Sequence, residues 1–76
     1  SLESLREAVL LSPTNGLAFA RLARLVLEQD PKENPRRIGE ADFFSRHAVE
    51  LAPHEAEVAE IRKDVAERAG AAPVIE

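Results

Sequence analysis

The sequence contains no cysteine, methionine, tryptophan or tyrosine, and phenylalanine occurs only three times in 76 residues. Without cysteine, neither a disulfide nor a thiolate metal site can supplement the hydrophobic core. No uninterrupted apolar run approaches the ~20 residues that a membrane-spanning helix needs, and no basic-then-apolar leader opens the sequence. We therefore expect a soluble chain, and the absence of cysteine fits a reducing, cytoplasmic location.

Positive charge is also scarce, because the formal net charge is −4 and residues 40–76 contain four bases against nine acids. Surfaces that bind nucleic acid need clustered lysine and arginine to displace counterions. Lys32, Arg36 and Arg37 form a basic stretch that is too short to reverse this balance. We expect neither nucleic acid nor a membrane as a partner.

Motifs for catalysis and metal binding are missing as well. The three glycines are isolated, so there is no glycine-rich phosphate loop, and no serine lies in a Gly-x-Ser-x-Gly elbow. His47 and Glu50 share a helix face, but Pro53 breaks the helix before His54. Two histidines and one glutamate are also few beside the usual three or four metal ligands. The sequence predicts no enzyme activity, no metal and no cofactor.

The segment from Thr14 to Gln29 predicts the central helix of one small domain. Apolar residues occupy most of its circumference, at positions 17, 19, 20, 22, 23, 25, 26 and 27. A helix with so wide an apolar surface must be covered on more than one side. The chain before and after it should therefore pack against it.

Prolines divide the sequence into four predicted helices, at about 1–12, 15–29, 39–52 and 55–69. Pro13 disfavours a helical conformation at the residue before it, and either Thr14 or Asn15 can cap the next helix. The stretch 30–37 contains two prolines and five charges, so we interpret it as a solvated loop.

The fourth predicted helix carries Asp64 and Arg68 at the spacing of an i,i+4 ion pair. Gly70 follows as a C-terminal stop. We therefore expect a single all-α domain over residues 1–70 and a loose C-terminal tail over residues 71–76.

Two adjacent phenylalanines lie in the third predicted helix. Because neighbouring helical residues point in different directions, they cannot both face one core. We expect Phe44 to face the core, and Phe43 either to pack on the long loop or to be an exposed contact.

A short pattern recurs forty residues apart, and both copies lead from an apolar helix face into a proline. The copies are Ala8-Val9-Leu10-Leu11-Ser12-Pro13 and Ala48-Val49-Glu50-Leu51-Ala52-Pro53. Periods of this size indicate stacked helical hairpins. The pattern resembles the tetratricopeptide repeat family, whose second helix ends with a small residue, an apolar residue and then a proline. Further positions that match the family's two helices are Phe19, Leu22, Ala23, Val26 and Ala41.

The resemblance implies antiparallel helical hairpins stacked as a short right-handed solenoid. The family's repeat is ~34 residues long, so the extra residues here fall in the 30–37 loop. The fourth helix departs from the pattern at Arg62 and Lys63, where a leucine and a small residue are expected. It resembles the polar helix that closes such arrays, and the first helix lacks its own partner helix.

In the resembled family, one face of each first helix lines a concave groove that takes extended peptides. Carried over by register, that face consists of Leu17, Ala20, Arg24 and Leu27, with Arg21 at its margin. An arginine beside an apolar strip suits a carboxylate-bearing peptide, although the asparagine and lysine of the family's carboxylate clamp are not matched. Alternatively, Arg24 pairs with Glu28 on its own helix.

The sequence thus predicts a non-catalytic protein–protein interaction module that binds a peptide or partner helix on its concave face. The alternative is a structural spacer or homodimerisation segment of a larger protein, which would use the uncovered face of the first helix. Oligomeric state and peptide binding distinguish the two.

Overall fold

The computed structural model describes residues 2–29 and 35–71, and within these ranges the fold is all-α. Its helices are α1 (Leu2–Leu11), α2 (Gly16–Glu28), α3 (Pro35–Leu51) and α4 (Ala56–Ala71). The predicted number, order and approximate position of the helices are confirmed. None of the helices in the described ranges is long and apolar enough to cross a membrane.

Helix α2 is the centre of the fold, because α1, α3 and α4 all pack against it. Leu22 and Val26 are 1% exposed, and Ala20 and Ala23 are completely buried. The alanines leave room for neighbouring helices to approach closely, while the larger side chains fill the space around them. The wide apolar surface of this segment therefore correctly predicted neighbours on several sides.

The start of α2 is fixed by Asn15 rather than by Thr14. The side-chain oxygen of Asn15 accepts a hydrogen bond from the backbone N–H of Ala18 at 3.1 Å. This bond satisfies one of the four N–H groups that the first turn of a helix leaves without partners.

The two copies of the recurring pattern form the same turn. At the first turn, Ser12 N–H donates to the Ala8 carbonyl and Asn15 N–H donates to the Ser12 carbonyl. Forty residues later, Ala52 N–H donates to the Ala48 carbonyl and Glu55 N–H donates to the Ala52 carbonyl. The α1–α2 and α3–α4 connections are therefore built alike.

Two predicted boundaries are wrong. Helix α3 begins at Pro35 instead of near residue 39, because proline is well suited to the first helical turn, where its missing N–H costs no hydrogen bond. Helix α4 continues through Gly70 to Ala71, so this glycine does not act as the stop. Residues 30–34 of the predicted loop and 72–76 of the predicted tail lie outside the described residues.

Helix α4 is held by an apolar seam and by a polar contact with α3. The seam consists of Val58, Ile61 and Val65, which join the core cluster that α2 and α3 share. In the polar contact, Arg62 Nη1 donates to Asp42 Oδ1 at 2.6 Å and to the completely buried Ser45 Oγ at 2.9 Å. Because the serine hydroxyl also donates to the Asp42 carbonyl, these polar groups are satisfied at the junction.

Partial burial pushes the pKa of Asp42 upward, but the hydrogen bond and charge of Arg62, assisted by Arg46, outweigh it and lower the pKa below its ordinary value. The ionised carboxylate is therefore the form that the α3–α4 junction stabilises.

Candidate ligand-binding groove between α2 and α4

Helices α2 and α4 lie side by side and run in the same direction. Arg21 in the middle of α2 bonds to Glu57 near the start of α4. Further along, Leu27 and Val65 line the same depression. This arrangement follows from two successive reversals of the chain around α3, and it leaves a groove along the α2–α4 seam.

Glu57 joins the two helices at one end of the groove. Its carboxylate accepts two hydrogen bonds from Arg21, at 2.8 Å from Nε and 3.2 Å from Nη2. The hydrogen bond and charge of Arg21, together with the charge of Arg24, lower the pKa of Glu57. The same hydrogen bond and the charge of Glu57 raise the pKa of Arg21. The pair is exposed, so its contribution to stability is small.

Arg21 donates two hydrogen bonds to Glu57, whereas the Arg24 guanidinium donates none to it. Arg24 Nη2 lies 3.9 Å from Glu57 Oε2, which is an ion pair without a hydrogen bond. Within the described ranges it makes no ion pair with Glu28, so the local pairing considered from the sequence is not formed. About half of the Arg24 side chain is exposed. Its donors therefore remain available to a ligand.

Arg24 also lines both depressions of the groove. The larger is an open hollow of about 350 Å³, and the smaller has a volume of about 50 Å³. Ile61, which is 3% exposed, lines both of them. Open hollows of this kind suit side chains of a bound segment better than an enclosed small molecule.

The five residues predicted to contact a ligand fall into two groups. Arg21 and Arg24 are exposed at the groove, and Leu17 is half-buried. Ala20 and Leu27 are 0% and 6% exposed and belong to the core. Ala20 has no surface to offer a ligand, and Leu27 offers only the small part that lines the smaller hollow. The apolar strip expected beside the arginines is therefore narrower than the sequence suggested.

Sequence reasoning missed the acidic wall of the groove. Glu60, Asp64 and Glu67 of α4 line the larger hollow together with Lys63. Their spacing of four and three residues places the three carboxylates on one helix face, so the pattern was visible in the sequence. None of these four side chains forms an ion pair in the described part of the chain, and the predicted Asp64–Arg68 pair is not formed either.

A second exposed surface lies on α1. None of its residues is buried, and Leu10 and Leu11 are 80% and 78% exposed. An ion pair of 2.6 Å between Arg6 and Glu40 connects α1 to α3. Adjacent exposed leucines are a typical feature of a contact surface.

An aromatic cluster lies where α2 meets α3. The His47 ring packs edge-on against Phe19 with centroids 4.7 Å apart, and it stacks against Phe43. As predicted, Phe44 packs against the core while Phe43 is 64% exposed. In the described ranges, no group of three metal-ligating side chains comes together, at His47 or elsewhere.

A scan against protein-family models, a search of curated proteins and a search of solved structures each returned no match for this chain.

Proposed function

We propose that this chain is a non-catalytic protein-interaction module that binds a peptide or a partner helix along the α2–α4 groove. The observation that carries the proposal is Arg24, a half-exposed guanidinium that lines both hollows and makes no hydrogen bond to the described residues. Arginine recognises carboxylates through several N–H donors held in a fixed geometry. A ligand carboxylate can therefore bind here without displacing a bond within the domain.

The equivalent turns that follow α1 and α3 support the tetratricopeptide-like interpretation of this module. Arrays of such hairpins place their first helices side by side and use that surface for ligands. In this register α2 and α4 are the first helices, and the groove between them is the concave face. The shared direction of α2 and α4 agrees with that register.

The test is a fluorescence anisotropy screen of carboxylate-bearing peptides, with each hit measured again on Arg24→Gln. We expect this substitution to weaken binding about threefold or more, the effect of losing one charge-assisted contact. Arg37→Gln is the matched control, because Arg37 has similar exposure and an equally long ion pair, 3.8 Å from Glu40, on α3. Hits that bind both variants equally, or the absence of any hit, would contradict the proposal.

Self-association through α1 is the second candidate, and exposed Leu10 and Leu11 favour it. A ten-residue helix is only about 15 Å long, so one face buries much less than the ~800 Å² per partner of a standard interface. The expected result is weak dimerisation, seen by sedimentation only at high concentration and removed by Leu11→Lys. A monomer at every concentration would exclude this function.

A further inference from the structure

The two walls of the α2–α4 groove carry opposite charge. On the α2 side, Arg24 faces the larger hollow. On the α4 side the same hollow is lined by Glu60, Asp64 and Glu67 together with Lys63, so the α4 wall keeps a net negative charge. These carboxylates make no ion pair within the described residues, whereas Arg24 is already near Glu57. A ligand in this hollow therefore meets one positive wall and one negative wall.

Glu57 limits how much negative charge the positive wall can accept. Arg21 and Arg24 together bring two positive charges, and the Glu57 carboxylate offsets one of them at 2.8 Å and 3.9 Å. One unit of positive charge remains, centred on Arg24. A second ligand carboxylate would meet the repulsion of Glu57 and of the acidic wall, whose three carboxylates outnumber the one cation beside them, Lys63.

We propose that the groove selects a peptide segment of mixed charge, with one carboxylate at Arg24 and a lysine or arginine against the acidic wall, and that Glu57 sets this selectivity. The inference rests on the proposed function and names the chemistry of its ligand. A purely acidic segment leaves the three wall carboxylates unpaired and adds repulsion. A purely basic segment leaves Arg24 unused and is repelled by it.

The ligand is a peptide in this proposal, because a cation alone would have to bind exposed carboxylates that converge on no described three-ligand site. Residues four apart on a helix are separated by about 6 Å along its axis. A helical segment with glutamate and lysine at this spacing can therefore present both charges to one side.

The experiment uses three fluorescein-labelled, alanine-rich peptides of about 15 residues, long enough for a marginal helix. The mixed peptide has glutamate and lysine four residues apart, the acidic peptide has glutamine in place of each lysine, and the basic peptide has glutamine in place of each glutamate. Anisotropy is measured at low salt, where exposed charges are least screened. The protein variants are Arg24→Gln, Glu57→Gln, the double variant Glu60→Gln/Glu67→Gln, and Glu7→Gln on α1 as the control.

We expect the wild-type chain to bind the mixed peptide about two- to fivefold more tightly than either other peptide, the range of one exposed ion pair. Glu57→Gln should raise affinity for the acidic peptide by a similar factor and so reduce the preference. The double variant should lower affinity for the mixed peptide to that of the acidic one, and Glu7→Gln should change nothing. Circular dichroism confirms that each variant is folded.

Equal binding of the mixed and acidic peptides by the wild-type chain, or a preference that Glu57→Gln leaves unchanged, would overturn the inference. If Arg24→Gln still weakened binding in that case, the groove would remain the binding site and only its charge selectivity would be wrong. If no peptide bound at all, here or in the wider screen, the proposed function itself would fail.

Discussion

At the scale of single residues, Gly16 lies in a close contact between α2 and the end of α3. A Cβ atom added there would lie 2.7 Å from the Ala52 Cβ and 2.9 Å from the Ala48 carbonyl oxygen. Ala48 lies in the last turn of α3 and Ala52 directly follows the helix, and the Ala48 carbonyl oxygen is a backbone atom that cannot rotate away. The absence of a side chain at Gly16 therefore allows α2 to start directly against α3.

Gly16→Ala should destabilise the fold by about 1–3 kcal/mol, because the added methyl group overpacks this contact. Gly39→Ala is the matched control, since a Cβ atom at this exposed helical position meets nothing within 4 Å. Alanine is the better helix former, so the control should gain about 0.5–1 kcal/mol. Urea unfolding followed by circular dichroism measures both. Equal stability of the two variants would mean that α2 and α3 can move apart at no cost.

Arg24 shows what the sequence could and could not predict about individual residues. Its exposure on the central helix follows from the apolar pattern, and the register of the resembled repeat family led us to expect it beside a groove. Its ion-pair partner could not be predicted, because sequence spacing reveals only neighbours on the same helix, such as Glu28. Glu57 is reached through the packing of α4 beside α2. The same packing buries Leu27 at the α2–α4 seam.

At the scale of helices, the contact between α3 and α4 depends on charge. Asp42 and Arg62 are about one quarter exposed and lie 2.6 Å apart, so solvent screens this pair less than the pairs along the groove. The apolar seam of α4 is narrow, and its other faces are exposed and charged. The polar contact therefore contributes a substantial share of what holds α4 in place.

Asp42→Asn should lower the free energy of unfolding by about 1–3 kcal/mol near neutral pH, the value of a hydrogen bond to a charged group. The pKa of Asp42 is lower in the folded chain than its ordinary value of 3.8, so the unfolded chain binds protons more readily as the pH falls. The stabilisation is therefore complete above the ordinary pKa and is lost as pH falls through the folded pKa.

Urea unfolding of the wild type and Asp42→Asn, measured between neutral pH and about pH 2, tests this sign. The difference between the two proteins should shrink toward acid. Asp64→Asn is the control, because this exposed carboxylate forms no ion pair in the described part of the chain, and it should show no comparable difference. A difference in unfolding free energy that stayed constant down to the lowest pH would show that Asp42 stabilises the junction through packing instead of charge.

The helices themselves were predictable because their apolar residues recur at helical spacing and prolines separate them. Their ends were less predictable, since proline both stops one helix and starts the next. Pro13 and Pro53 lie after a helix, whereas Pro35 begins one. Gly70 illustrates the same ambiguity, because a glycine ends a helix only where the chain needs a left-handed residue.

At the scale of the whole molecule, burial is unequally distributed among the helices. Seven of the thirteen residues of α2 are buried, and α1 has none. Helix α1 packs on α2 and reaches α3 through the Arg6–Glu40 ion pair, while α3 and α4 pack closely on each other as well as on α2. In the described ranges, α1 is therefore the helix that the core holds least firmly.

The molecule should consequently open from α1 before it unfolds as a whole, because local opening is easiest where few apolar contacts are lost. In native-state hydrogen exchange followed by NMR, the amides of α2 and α3 should exchange most slowly and those of α1 at least tenfold faster, a difference of about 1.4 kcal/mol or more. Leu5→Ala, which removes a half-buried contact of α1 with the core, should accelerate exchange in α1 more than in α3. If the amides of α1 exchanged as slowly as those of α2, the four helices would open together, and this prediction would be wrong.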